Sequence, residues 1–284
     1  MSATILEGPK VAEAISESVL ADAEALKEQG VTPCLAILRV GERGDDLSYE
    51  RGAMKRAEVC GMAVKNLVFA DDVTTDELVA AVEAVNADDA IHGLLILRPL
   101  PAHIDEERVC NTLVTHKDVD ACTERSLGAI FTGSGVGFAP CTAQACIEIL
   151  DHYGIEVAGK RAVVIGRSLV IGRPLAMLLL ERNATVTIAH SRTVELEQLA
   201  QTADIVVACV GRAAMIGKPH VSAGQTLIDV GINVTEEGAL VGDVAFDEVV
   251  DVVDAVTPVP RGVGSVTTSV LCKHVVQAAQ AMLW

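Results

Sequence analysis

The run Ala162-Val163-Val164-Ile165-Gly166-Arg167-Ser168-Leu169-Val170-Ile171-Gly172-Arg173-Pro174 decides how the chain is read. Four aliphatic residues have the length and character of a buried parallel strand. They run into Gly166, a residue that turns sharply and lets backbone N–H groups approach a phosphate. Gly172 follows six residues later, and Pro174 suits the first turn of a helix, where a missing N–H is tolerated. This strand–glycine–helix corner is not the dinucleotide fingerprint G-x-G-x-x-G, because its middle glycine is absent. It nevertheless predicts a Rossmann-type nucleotide site at the carboxyl end of a parallel sheet.

The next predicted strand, Ala184 to Ala189, ends in His190-Ser191-Arg192-Thr193, roughly 20 residues past the turn. NAD-binding folds usually carry an acid there for the ribose hydroxyls. Here a hydroxyl and a guanidinium stand in its place. An aspartate would repel a 2′-phosphate, whereas Ser191, Arg192 and Arg167 offer it donors and positive charge. The expected cofactor is therefore NADP.

Outward from the turn the alternation continues. Downstream, a helix from Glu195 leads to strands at Asp204–Val210, Thr226–Val230 and about Val252–Val256, and a last helix covers Thr268–Trp284. Upstream, Val11–Gly30, Asp45–Gly61 and Thr75–Asn86 read as helices and Cys34–Val40, Met62–Ala70 and His92–Leu97 as strands. Pro99-Leu100-Pro101 stops the last of these strands. Gly128–Gly137 suits a boundary, and Pro140-Cys141-Thr142 opens a helix toward Tyr153. The expected architecture is α/β, with two domains in 284 residues. A parallel α/β substrate domain covers 1–139 and is completed by a returning helix at 268–284; a Rossmann-type domain covers 140–267.

Composition narrows the function. Half the residues are apolar but only 2% are aromatic, so aliphatic side chains must fill the core. A net charge of −17 with no basic stripe argues against nucleic acid. It also means that an anionic ligand must be held by local donors against the long-range field. The eight cysteines show no C-x-x-C pair and no metal-ligand spacing, so they read as reduced thiols and no metal is expected. Without a leader or an apolar run of membrane length, the expected location is the cytoplasm.

Further marks lie along nearly the whole chain. They include Tyr49 on a helix closing at Gly61, Arg98-Pro99-Leu100-Pro101, Lys117-Asp118-Val119-Asp120 and Pro140-Cys141-Thr142. Gly166-Arg167-Ser168, His190-Ser191, Ile228-Asp229-Val230-Gly231-Ile232-Asn233, Gly242-Asp243-Val244 and Thr257-Pro258-Val259-Pro260 complete them. From about Leu6 to its end the chain thus resembles the methylenetetrahydrofolate dehydrogenase/cyclohydrolase family.

That resemblance implies NADP-dependent oxidation of 5,10-methylenetetrahydrofolate to the methenyl compound, in a folate cleft between two domains of a homodimer. It implies that Tyr49 stacks on the aminobenzoyl ring and that Asp120 holds the pterin. Leu97, Pro99, Leu100, Pro258 and Gly262 would complete the substrate site. Gly166, Arg167, Ser168, Ser191, Arg192 and Ile232 would contact NADP.

Two departures bear on a second activity, hydrolysis of the methenyl product. The family's proton-handling Lys, four residues after the tyrosine, is Ala53 here, and the Gln that tunes it is Leu97. Lys55 is the remaining catalytic candidate, but it lies six residues past Tyr49, about 240° around the helix. Dehydrogenation without cyclohydrolase activity is therefore expected, the fully bifunctional enzyme being the alternative. A non-catalytic NADP-binding protein would not need Tyr49 and Asp120. The family's glycine and proline pattern also changes near the end, to Arg261, Ser265 and Val266.

Overall fold

The computed structural model describes residues 2–235 and 237–283. Its elements are β1 (Thr4–Ile5), α1 (Gly8–Glu28), β2 (Cys34–Val40), α2 (Gly44–Val59), β3 (Ala63–Phe69), α3 (Thr75–Ala87) and β4 (Gly93–Ile96). After them come α4 (Glu106–Thr112), α5 (Glu124–Thr132), α6 (Cys141–His152), β5 (Arg161–Ile165), α7 (Gly172–Glu181), β6 (Thr185–Ala189) and α8 (Leu196–Gln201). The chain continues with β7 (Ile205–Ala208), β8 (Thr226–Asp229), β9 (Asn233–Val234), β10 (Leu240–Val241), α9 (Phe246–Val249), β11 (Ala255–Val256) and α10 (Thr267–Ala281).

Two compact units result. One joins Glu13–Cys141 to the residues from Thr268 on; the other joins Thr142–Thr267 to the start of the chain up to Ala12. In the first, a parallel three-stranded sheet has the order β3-β2-β4. Its central strand, Cys-Leu-Ala-Ile-Leu-Arg-Val, is buried along nearly its whole length, as a strand covered on both faces must be. Edge strand β3 is half exposed. Ala36, Leu38, Leu94 and Ile96 from the sheet meet Leu78, Val82 and Val85 from α3 in one core cluster. Helix α3 starts on a reciprocal cap, with Thr74 and Glu77 each bonding the other's backbone N–H. Helix α10 packs here too: His274 Nδ1 lies 2.9 Å from the Val119 carbonyl oxygen. A Cβ on Gly93 would fall 3.0 Å from Val275, so helix and strand are in close contact.

The second unit holds a parallel six-stranded sheet, β1-β11-β8-β7-β5-β6. Strands β5, β7 and β8 are almost wholly buried. Val163, Ile165, Val206, Leu227 and Val256 form its core with Ala200 and Val249. Among the described residues, no helix is long and apolar enough to cross a membrane.

The α/β class, the parallel sheets and the two-domain plan agree with the sequence reading. Several local features differ. The sequence-based span 1–139 does not separate β1, which pairs with β11 in the other unit; a two-residue strand carries no periodicity to read. The ribbon β9–β10 is equally short. The stretch Gly128–Gly137, expected as a boundary loop, begins inside α5, whose start is capped by Thr123 Oγ1 accepting from Ser126 N. Two ends of expected segments, Met1 and Trp284, lie outside the described residues.

Candidate active site

Strand β5 delivers Gly166 to the carboxyl edge of the six-stranded sheet. Gly166 has φ +140°, and a Cβ there would fall 2.3 Å from the Cys209 carbonyl oxygen on the neighbouring strand's exit. A Cβ on Gly172 would fall 2.3 Å from the Gly166 carbonyl oxygen. The two glycines of the motif therefore need each other: the turn folds back so closely that neither position has room for a side chain. Inside it, Ser168 Oγ accepts from Ile171 N at 3.1 Å, and Arg173 N donates to the Ser168 carbonyl at 3.1 Å. Arg167 and Ser168 are exposed. No side chain caps α7 and its first turn carries no acid, so the positive end of the helix meets no competing carboxylate of its own.

Strand β6 runs parallel to β5 with Ile165 opposite Ala189, and Gly166 N donates to the Ala189 carbonyl at 2.9 Å. The residues leaving both strands therefore emerge side by side. His190 N donates to Thr193 Oγ1 at 2.9 Å and Arg192 N to His190 Nδ1 at 3.2 Å. This tight turn leaves Ser191 and Arg192 exposed, with no carboxylate at the strand end. The residues present thus fit a nucleotide carrying a 2′-phosphate: a cradle that a Cβ would fill, and beside it guanidinium and hydroxyl donors.

At the end of β8, Ile232 is 65% exposed. It lines a cavity of about 210 Å³ with Gly231, Leu240, Val259, Arg261 and Gly262 among its walls. Two buried aspartates hold this region. Asp229 accepts N–H bonds from Gly231 and Asp243 at 3.0 Å each and from Val244 at 3.1 Å. Asp243 accepts from Val210, Gly211 and Arg212 N–H at 2.6–2.9 Å and from Asn233 Nδ2 at 3.0 Å. Burial pushes the Asp229 carboxyl up to about 6 against its N–H donors, with the Asp243 charge adding to the rise. Pro258 is half-buried and Gly262 buried. A Cβ on Gly262 would fall 2.2 Å from the Pro258 carbonyl oxygen, which closes that turn on itself.

The other unit carries the remaining residues. Helix α2 leaves the carboxyl end of β2, and its stripe Asp46, Glu50, Ala53 and Ala57 is buried. Glu50 accepts from Arg39 Nε at 2.7 Å as a buried pair. Tyr49 is half-buried at the edge of this stripe, and Ala53, one turn on, is fully enclosed. Leu97, also buried, follows β4, and its N–H donates to the Leu38 carbonyl at 2.9 Å. Arg43 Nη1 donates to the Pro99 carbonyl at 2.7 Å, which ties the entry of α2 to the segment containing Pro99 and the buried Leu100.

The Lys117-Asp118-Val119-Asp120 motif divides by role. Lys117 is fully buried, and its Nζ donates to the carbonyls of Val85, Asn86 and Asp88 at 2.8, 3.2 and 2.8 Å, so it closes the end of α3. Asp118 accepts from Cys122 N, from Thr123 N and Oγ1, and from Ser126 Oγ. Asp120 alone lies half-buried. Asp118 pairs in parallel with Leu94, so Asp120, two residues on, is carried toward the edge where β4 releases Leu97. Burial pushes its carboxyl up, opposed chiefly by the N–H of Cys141, which donates to it at 2.9 Å, and by the Arg98 charge. Leu97–Leu100 and Asp120 thus leave the same edge of the small sheet, from which the helix carrying Tyr49 also starts.

Lys55 is not brought to them. It is exposed and, with Lys27, Arg51, Met54 and Glu58, bounds an open depression that includes neither Tyr49 nor Asp120. The helical repeat is the reason: six residues turn the side chain to the far face of α2. Asp229 and Asp243 have no site role that the sequence alone marks. Their one signal is position, close to Gly231 and Gly242, without a charge pattern to read.

Residues 6–120 match the model of the tetrahydrofolate dehydrogenase/cyclohydrolase catalytic domain, and residues 140–283 match that of the NAD(P)-binding domain. The bifunctional protein FolD of Alkaliphilus oremlandii is 46% identical over 97% of either chain. The bifunctional enzyme FolD of Campylobacter jejuni superposes with a TM-score of 0.97 at 34% identity, covering 99% of this chain and 100% of that one. The Trypanosoma brucei enzyme, whose crystal structure is a complex with NADP cofactor and inhibitor, gives 0.94 at 32% identity, over 100% and 99%.

Proposed function

The chain belongs to the tetrahydrofolate dehydrogenase/cyclohydrolase family, and on that footing we propose that it oxidises 5,10-methylenetetrahydrofolate with NADP and does not efficiently hydrolyse the methenyl product. The observation that carries this reading is the contrast between its two halves. The nucleotide turn keeps both of its sterically required glycines with basic residues beside it, while positions 53 and 97 are buried and apolar.

The two chemistries ask different things of the protein. A nicotinamide bound here would supply the hydride acceptor for the bridging methylene of the folate. The folate nitrogens stabilise the cation that forms, so the protein chiefly has to align two rings. Gly166 and Ser168 would hold the pyrophosphate end of the cofactor; Arg167, Ser191 and Arg192 would bind the 2′-phosphate; Ile232 would pack at the nicotinamide end. On the folate, Tyr49 offers its ring face to the aminobenzoyl group and Asp120 accepts from paired pterin N–H donors. Leu97, Pro99, Leu100, Pro258 and Gly262 supply apolar and backbone contact.

Hydrolysis needs more. A water must be activated and a leaving nitrogen protonated, and a positioned acid–base group is typically worth about 10²–10⁴-fold. Ala53 offers no such group, Leu97 offers no partner to tune one, and Lys55 faces elsewhere. Relatives known as bifunctional protein FolD favour a second reading in which hydrolysis survives through another residue.

Two wider readings accompany the activity. Strand β6 forms one end of the six-stranded sheet, which supports pairing of two copies along that edge into a homodimer. All eight cysteines are free thiols, which supports a reducing, cytoplasmic setting. The dehydrogenase reading is tested by following reduced nicotinamide with methylenetetrahydrofolate and either NADP or NAD. Reduction with NADP at a kcat/KM at least tenfold above that with NAD is expected. No reduction with either would overturn it.

A further inference from the structure

Three arginines of the described residues are held partly or wholly away from solvent: Arg39, Arg56 and Arg98. Arg39 donates to Glu50 at 2.7 Å, and Arg56 donates to Ser16 Oγ at 3.1 Å. The half-buried guanidinium of Arg98 makes no hydrogen bond and no ion pair among the described residues. Withdrawing a cation from water without a partner is costly. A group left in that state asks for an explanation, and a ligand that completes its bonding is one.

Its surroundings, all within the compact unit that holds Glu13–Cys141, give that ligand a shape. Leu97 N donates to the Leu38 carbonyl at 2.9 Å, so Arg98 is the first residue past the end of the ladder. Asp118 lies beside Leu94 in parallel, so the two chains carry Arg98 and Asp120 past the same strand end. Burial raises the Asp120 carboxyl, and the Arg98 charge is among the forces that oppose the rise. The same charge acts on the thiols of Cys110 and Cys122. The guanidinium therefore stands on the side where the Asp120–Cys122 loop passes. It is near enough to act on the carboxylate through its charge, yet the two do not pair. Cys141 N, at 2.9 Å, bonds one oxygen of Asp120. An acceptor and a donor thus stand side by side with a gap between them.

One edge of a pterin ring presents its 2-amino group, its N3–H and its 4-oxo oxygen in a row: two donors followed by an acceptor. A carboxylate matches the two donors and a neighbouring guanidinium matches the acceptor. Resting on the assignment of Asp120 to the pterin, we propose that Arg98 is a specificity residue that donates to the 4-oxo oxygen of the ring. A ring with an amino group at position 4 turns a donor toward the guanidinium, and the site rejects it by leaving both groups unpaired.

Equilibrium binding without turnover tests this. Tetrahydrofolate and tetrahydroaminopterin differ in carrying an oxo or an amino group at ring position 4. Each is titrated against wild type, Arg98→Leu, Arg98→Lys and Asp120→Ala, with NADP affinity and Tm measured on the same preparations. Wild type should prefer the 4-oxo compound by about tenfold, about 1.4 kcal/mol. Arg98→Leu should abolish that preference by weakening the 4-oxo compound alone, and Arg98→Lys, which keeps a charged donor, should recover part of it. Neither change should alter NADP affinity, and Asp120→Ala should weaken both folates. A wild type without the preference, an Arg98→Leu variant that keeps it, or equal losses for both compounds in that variant would overturn the inference while leaving the folate reading in place. Binding of neither compound by wild type, or no loss of either in Asp120→Ala, would overturn the pterin assignment and this inference with it.

Discussion

Restoring a lysine at position 53 should restore hydrolysis. Ala53 is fully enclosed on the stripe shared with Asp46, Glu50 and Ala57, one turn beyond Tyr49 and on nearly the same side of α2. Adding a lysine to a full site overpacks it, at a cost of about 1–3 kcal/mol, tolerable for a domain stable by about 5–15 kcal/mol. The charge of the new side chain would be governed by burial, since the nearest acid on the stripe, Glu50, is already paired with Arg39 at 2.7 Å. Burial lowers a lysine's pKa, which brings it toward the range a proton carrier needs at neutral pH. With Leu97→Gln to orient it, Ala53→Lys should speed methenyl hydrolysis by about 10²–10⁴-fold, or about 3–5 kcal/mol of barrier. The rate should rise with pH as the lysine loses its proton. The assay is the decay of added methenyltetrahydrofolate, with circular dichroism and dehydrogenase rate confirming the fold. A folded, dehydrogenase-active double variant that hydrolyses no faster than wild type would refute the assignment of positions 53 and 97.

Two further outcomes are expected. Lys117→Met should keep the apolar stem but strand the carbonyls of Val85, Asn86 and Asp88. The loss is expected to be about 3 kcal/mol, read as a lower Tm, with KM for the folate little changed at a temperature where the variant is folded. Asp229 should titrate near 6 rather than near 3.8, visible by carboxyl NMR. Because its folded value is raised, the native state holds the extra proton between those values. Its contribution is therefore full below about pH 4 and lost as pH rises through 6, a fall of about 3 kcal/mol. Asp229→Asn should flatten that slope.

The larger elements were legible because each carries its own period. Cys34–Val40 and Arg161–Ile165 are aliphatic runs of strand length with turn residues after them, and both strands have those bounds. The glycine turn was legible because Gly166 follows an aliphatic run directly and Gly172 stands just before Pro174. What escaped was short or relational. β1 is two residues long and gains meaning only beside β11. Within Lys117-Asp118-Val119-Asp120, sequence marks two carboxylates alike. Only the fold shows that Asp118 is consumed by Thr123 and Ser126 while Asp120 is bonded by Cys141 alone of these residues and stays half-buried.

The most direct test of the central claim is a time course with purified protein, methylenetetrahydrofolate and NADP that follows reduced cofactor and the methenyl compound separately. The methenyl compound should accumulate in step with reduced cofactor and then decay no faster than in buffer alone. Consumption of the methenyl compound as fast as it forms would contradict it, and would require a proton carrier other than positions 53 and 97.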